Sequence, residues 1–185
     1  MIFREVEFPG PVVIDLERKG DDRGYFARAW CQKEFAAHGI PTDFVQANMS
    51  VSRHKGTLRG LHFQFAPHRE AKLVRCVRGA LYDVAVDARP ESPTFGQWVG
   101  VELTAESHRM IYVPEGFAHG FQTLLDETEA HYMVSAFYSP GAEGGIRYDD
   151  PKLGIVWPLP VSTISEKDQK WPGIDALRPL ARSVA

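Results

Sequence analysis

Four side chains in this sequence are of types that could take a proton from carbon and return it. They are His62 in "GTLRGLHFQ", Lys72 opening "KLVRCVRG", Tyr132 in "HYMVSAFY" and Asp168 in "SEKD". Breaking a C–H bond beside a ketone needs a base and a fixed cation for the enolate oxygen. It also needs an acid to return a proton, from the other face if the centre is to invert. Neutral imidazole suits the first task because its pKa lies near working pH. An ammonium suits the second. A phenol suits the third, with a pKa expected to fall beside cations. A carboxylate such as Asp168 would orient the imidazole and raise its basicity.

Taken singly, each residue also has a structural use. A strand histidine commonly bonds a backbone carbonyl, a strand-end lysine snorkels to water, and a tyrosine packs its ring with its hydroxyl outward. "SEKD" reads as a capping box, with Ser165 as N-cap and Asp168 at the third helical position. Taken together they are harder to dismiss. A base, a cation and a phenol accompany Arg59 and Arg75 in otherwise apolar strands.

The elements that must position them are mostly strands. "VVIDL", "GYFARAW", "FVQANMSVS", "KLVRCVRG", "ALYDVAVD", "QWVGVEL", "RMIYVP" and "HYMVSAFY" are short and rich in β-branched and aromatic residues. Turn signals such as "RPESPTFG" and "SPGAEGG" separate them, which predicts an antiparallel sandwich or barrel. Two helices are expected, "QKEFAAHG" ended by Gly39, and a short one near "SEKDQK". From Pro140 onward the chain becomes loop-rich and is expected to wrap the outside. In such a fold, side chains from different strands converge on the interior mouth, where ligands bind.

With 185 residues, 44% hydrophobic and 24% charged, the chain reads as one globular domain, 1–185, able to bury its own core. The net charge of −3 gives no reason to expect nucleic-acid binding. "MIFREVEFPG" is too charged for a signal peptide, and no apolar run is long enough to span a membrane. Two cysteines make no disulfide framework. The expectation is a soluble cytoplasmic protein.

Two segments resemble the signature motifs of the cupin jelly roll. Gly56 is followed by five residues and His62, but Gln64 replaces the second histidine. Pro114, Gly116 and His119 resemble the later motif, but Thr123 replaces its asparagine. His62, His119 and Glu70 are the side chains that could still hold an ion. With the ligand set damaged, no metal and no other cofactor is expected.

"DDRGYFARAW", "VQANMSVSRHKGTLRGLHFQ", "EAKLVRCVRGALYDVAVDAR", "VPEGFAHGFQTL", "YSPGAEGGIRYDDPKLGIVWP" and "SEKD", in this order, closely resemble the dTDP-4-dehydrorhamnose 3,5-epimerase family, from about Ile2 to Asp175. The resemblance implies an all-β, cupin-like antiparallel jelly roll with a few short helices, metal-independent and a homodimer. It implies inversion of the carbons flanking the 4-keto group of a nucleotide-diphosphate-linked 6-deoxyhexose. By the same resemblance His62 is the general base and Asp168 its partner, Lys72 the enolate-stabilising cation and Tyr132 the general acid. Arg23 and Arg59 would contact the nucleotide diphosphate and sugar, and Gln46, Asn48, His119, Glu143 and Lys167 would make further substrate contacts. Two positions depart from the family pattern. Arg28 stands where a glutamate is usual, and Met133–Ser135 follow the tyrosine in place of Lys-Cys-Thr. Both bear on which nucleotide and sugar are used. The rival readings are a single-carbon epimerase, a metal-dependent cupin oxygenase or isomerase, and a sugar-binding cupin without chemistry. A 3,4-ketoisomerase is a further neighbour in reaction space.

Overall fold

The computed structural model describes residues 1–41 and 43–178, so the end of the expected 1–185 domain, residues 179–185, lies outside the description. In chain order the strands are β1 (Ile2–Glu5), β2 (Val12–Asp15), β3 (Lys19–Asp21), β4 (Gly24–Phe26), β5 (Gln46–Ser52), β6 (Thr57–Gln64) and β7 (Lys72–Arg78). They continue with β8 (Ala80–Asp87), β9 (Trp98–Thr104), β10 (Met110–Val113), β11 (Phe117–Thr123), β12 (Thr128–Val134), β13 (Glu143–Gly145) and β14 (Thr163–Ile164). The helices are α1 (Gln32–Ala37) and α2 (Glu166–Gln169). Among the described residues no helix is long and apolar enough to cross a membrane.

Two sheets face one another, as the jelly-roll expectation requires. The first runs β1-β2-β10-β7-β12-β5, and the second β13-β6-β11-β8-β9, with β14 pairing parallel to β6. Alternation along each strand sends one set of side chains between the sheets. Val74 and Cys76 of β7 and Ala130 of β12 share that core with Leu81 and Ala85 of β8 and Phe117 and Phe121 of β11. From Pro140 to Arg178 the chain packs against the outside of the second sheet. Its Ile146, Leu153, Ile174 and Leu177 cover Leu61, Phe63, Val84 and Val86 on the far face of the second sheet.

Two strand expectations are trimmed. "GYFARAW" is strand only over Gly24–Phe26, paired with β3 in an exposed hairpin, and "HYMVSAFY" leaves its ladder after Val134. Apolar alternation cannot reveal where neighbouring strands stop supplying partners. Gly39, past the end of α1, has φ +69°, the left-handed helix stop that its residue type suggested.

One irregularity matters more than the regular pairing. His62 pairs with His119, but Arg59, three residues back, pairs with Phe121, only two residues on. The ladder therefore holds one extra residue in β6, a bulge at Gly60–Leu61. In an even strand, Arg59 and His62 would point to opposite faces. The bulge puts both on the face shared by His119 and Phe121. Gly60 makes this possible, with φ +129° and a Cβ position that would lie 2.5 Å from Cα of Gly120. Gly60→Ala is expected to destabilise the fold by about 2 kcal/mol or more. Thermal unfolding checks this, and an unchanged Tm would show that the bulge tolerates a side chain.

Candidate active site

The bulge leaves the Gly60 N–H outside the regular ladder, and it donates to Asp168 Oδ2 at 3.2 Å. The other oxygen, Oδ1, meets Nε2 of His62 at 2.6 Å. Asp168 reaches this place from a four-residue helix whose start is capped, since Ser165 Oγ accepts its backbone N–H at 3.0 Å. The capping-box reading of "SEKD" is thus half right. The serine caps, while the carboxylate, instead of turning back on the helix, crosses to β6. The carboxylate is 4% exposed as a residue. Burial pushes its pKa up, but His62 outweighs this through its hydrogen bond and charge, helped by the Gly60 and Trp171 donors, and the net direction is down. An ionised Asp168 holding Nε2 leaves Nδ1 as the imidazole nitrogen free to accept a proton.

His62 lines a cavity of about 460 Å³. The second sheet and its flank contribute Arg59, His62, His119, Glu143, Lys167 and Asp168, and the first sheet contributes Ser50, Lys72 and Tyr132. Tyr132 pairs with Val74 and Val134 with Lys72, so phenol and ammonium stand diagonally on one face of neighbouring strands. The base therefore comes from one sheet, and the cation and phenol from the sheet opposite.

Lys72 is nearly buried and ion-paired with Glu70 at 2.5 Å. Tyr132 reverses one expectation. Burial and the Glu70 charge raise its pKa, and Arg59 only partly opposes them. The phenol consequently keeps its proton well into the alkaline range. His119 bonds both oxygens of Asp83 at 2.9 Å. Asp83 is fully buried, and burial raises its pKa although His119 and Lys72 pull the other way. Arg59 donates to Ser52 Oγ at 3.2 Å and to the Val51 carbonyl at 3.0 Å, which fixes its guanidinium against β5. At the mouth, Glu143 accepts from the Tyr138 hydroxyl at 2.9 Å and from the Lys167 ammonium. Burial raises the Glu143 pKa, but these donors bring it below its usual range.

Eight of the eleven residues singled out in the sequence line this cavity. Three do not. Arg23 sits on the β3–β4 hairpin, 90% exposed at its side chain and paired with Asp21. Gln46 and Asn48 lie on β5, the outermost strand of the first sheet, and Gln46 Oε1 accepts the Tyr138 N–H at 2.8 Å. Arg28 is also outside, bonded to Glu34 at 2.9 Å.

The side chains considered as metal ligands are each bound elsewhere: His62 to Asp168, His119 to Asp83 and Glu70 to Lys72. Gln64, in the cupin ligand position, instead accepts the Ser139 N–H at 2.7 Å and donates to the His68 carbonyl at 2.9 Å. It ties together the two segments that flank the mouth. Sequence reasoning missed Asp83, Tyr138, Ser50 and Trp171. Asp83 carried a visible signal, a carboxylate inside the apolar strand "ALYDVAVD".

The profile of the dTDP-4-dehydrorhamnose 3,5-epimerases matches residues 5–176. The chain belongs to this family. It is 48% identical over 165 residues to the dTDP-4-dehydrorhamnose 3,5-epimerase of Shigella flexneri, covering 89% of this chain and 91% of that one. It is 42% identical over 170 residues to the dTDP-4-dehydrorhamnose 3-epimerase of Streptomyces niveus, covering 91% and 82%. Among solved structures, the dTDP-6-deoxy-D-glucose-3,5-epimerase of Legionella pneumophila, in complex with dTDP-4-keto-L-rhamnose, superposes with a TM-score of 0.88. That pair is 40% identical and covers 94% of this chain and 93% of the other. Membership in this epimerase family agrees with the two-sheet cupin-like jelly roll and with the His–Asp, Lys and Tyr groups inside it.

Proposed function

We propose that this chain inverts carbons 3 and 5 of a nucleotide-linked 4-keto-6-deoxyhexose, converting dTDP-4-dehydro-6-deoxy-D-glucose to dTDP-4-dehydro-L-rhamnose. The observation that carries the reading is the division of the cavity, with His62–Asp168 on one sheet and Lys72 and Tyr132 on the other. A sugar ring held between them meets a base on one face and an acid on the opposite face, which is what inversion demands.

In this reading His62 Nδ1 takes the proton from carbon, and the electron pair moves onto the 4-keto oxygen. Lys72 stabilises that enolate. Tyr132 then delivers a proton to the other face of the same carbon, and solvent resets both groups. Both carbons flank the same ketone, so one set of groups serves both in turn. Asp168 keeps the imidazole in the tautomer with a free Nδ1. Arg59 and His119 contact the substrate inside the cavity. Glu143 and Lys167 contact it at the mouth, where the exposed ring of Tyr138 offers a face for a nucleobase.

The reading includes a homodimer. Support comes from exposed apolar side chains on the β3–β4 hairpin and on β5, namely Tyr25, Phe26, Met49 and Val51. In that assembly Arg23 reaches substrate held by the second copy, while Gln46 and Asn48, on the face of β5 that Ser50 shares and with Asn48 paired to Tyr132, extend the wall of the chain's own cavity.

Proton NMR in deuterium oxide tests the function. Deuterium should enter both C3 and C5 of the 4-keto sugar, at different rates set by how well each carbon meets His62. Exchange at one carbon only would favour the second reading, a single-carbon epimerase, which the Streptomyces niveus relative makes specific. A further expected outcome is that prolonged chelation leaves the rate unchanged. Loss of activity restored by one particular metal would overturn the metal-free mechanism.

A further inference from the structure

Trp171 has no part in the roles above, yet it touches the dyad at its most sensitive atom. It lies three residues after Asp168, just beyond α2, and its indole Nε1–H donates to Asp168 Oδ1 at 3.3 Å. That oxygen also bonds His62 at 2.6 Å. The indole stands edge-on to the imidazole, with centroids 6.3 Å apart and planes at 72°. Its seat is Gly145, which pairs with His62 across the β13–β6 ladder. A Cβ at Gly145 would come within 2.4 Å of the indole ring. The Lys167 ammonium lies 5.6 Å from the ring centroid, on the side of the cavity mouth.

We propose that Trp171 is a positioning residue for proton abstraction. Its ring, seated on Gly145, fixes the plane of the Asp168 carboxylate, and its N–H shares Oδ1 with His62. The role rests on the reading of His62 as the base. Each donor at a carboxylate oxygen draws off charge that the other would use. The indole therefore limits how firmly Asp168 holds the protonated imidazole, and so how readily His62 passes its proton on. A phenylalanine could fill the seat on Gly145, but it could not donate. The N–H is the part of Trp171 that packing does not require.

Trp171→Phe separates the two parts. With the competing donor gone, Asp168 should hold the imidazolium more strongly, and His62 should pass its proton on less readily. Solvent exchange at the substrate carbon should then fall about threefold, the scale of one shared hydrogen bond. The substrate KM should stay close to wild type. Arg59, Lys72, His119, Tyr132, Glu143 and Lys167 also surround the dyad and remain unchanged in this variant, so the fall reports the indole. Without substrate, the proton bridging His62 and Asp168 should move downfield in the NMR spectrum of Trp171→Phe. If that variant fails to fold, the wild-type Trp171 indole ¹⁵N–H signal can be compared with the same signal in Asp168→Asn, where it should shift. An unmoved bridging proton or indole signal, in an enzyme whose exchange depends on His62, overturns the role of Trp171 alone. Exchange that survives in His62→Ala overturns the base assignment and this role with it.

Discussion

His62→Ala abolishes deuterium uptake at the substrate carbons, with a loss of about 10²- to 10⁴-fold, the usual contribution of a positioned general base. The expectation follows from the way the imidazole is held. Nε2 is bound to a buried carboxylate at 2.6 Å, and that carboxylate is itself fixed by the Gly60 N–H and by the capped turn of α2. His119, the other histidine in the cavity, is tied to both oxygens of Asp83. It sits opposite His62 in the β6–β11 ladder but lacks the capped, bulge-anchored carboxylate. Asp168→Asn should be milder than His62→Ala in substrate binding and severe in rate, because the amide can offer Nε2 a bond but no charge. The measurement is exchange in deuterium oxide alongside substrate affinity by calorimetry. Exchange near the wild-type rate in His62→Ala would assign the base elsewhere, with His119 the next residue to replace.

The bulge explains why this site was only partly legible in the sequence. "RGLHFQ" announces a cation and an imidazole in a buried strand, but a regular strand would send Arg59 and His62 to opposite faces. Only the register shows that an extra residue at Gly60–Leu61 turns both inward. Alternation and turn residues revealed the strands, because those signals are local. The trimmed ends of "GYFARAW" and "HYMVSAFY" depended on which neighbour each strand found, and that is not a local property. The same distinction separates the residues that were found from those that were not. His62, Lys72 and Tyr132 stand out as polar groups in apolar runs. Trp171 does not, since an aromatic after a short helix carries no sign of the carboxylate it will meet. Tyr132 was found, but the direction of its pKa was misjudged. Burial and Glu70 outweigh the arginine that the sequence placed nearby. Arg28 raised the question of nucleotide choice, and within the chain it answers to Glu34 instead.

Tyr132→Phe and Lys72→Met should fail in different ways, and the contrast tests the division of labour between the sheets. In Tyr132→Phe the base and the cation are intact, so the C–H bond still breaks and the enolate still forms. His62 exchanges its proton with solvent and returns a deuteron to the face it came from. Substrate should therefore gain deuterium within about tenfold of the normal rate, while inversion falls about 10²- to 10⁴-fold. In Lys72→Met the enolate loses the charge that stabilises it, so exchange and inversion should fall together, by about 10²- to 10³-fold. The raised pKa of Tyr132 sets the sign of the pH dependence. A phenol held above its ordinary value is protonated at neutral and mildly alkaline pH, so its deprotonation should not limit inversion there. The ratio of inversion to exchange in the wild type should accordingly stay constant from pH 7 to pH 9 and fall only at higher pH. Chiral analysis of the product beside deuterium content measures that ratio. Inversion that persists in Tyr132→Phe would mean that water, or another donor on the first sheet, supplies the second proton.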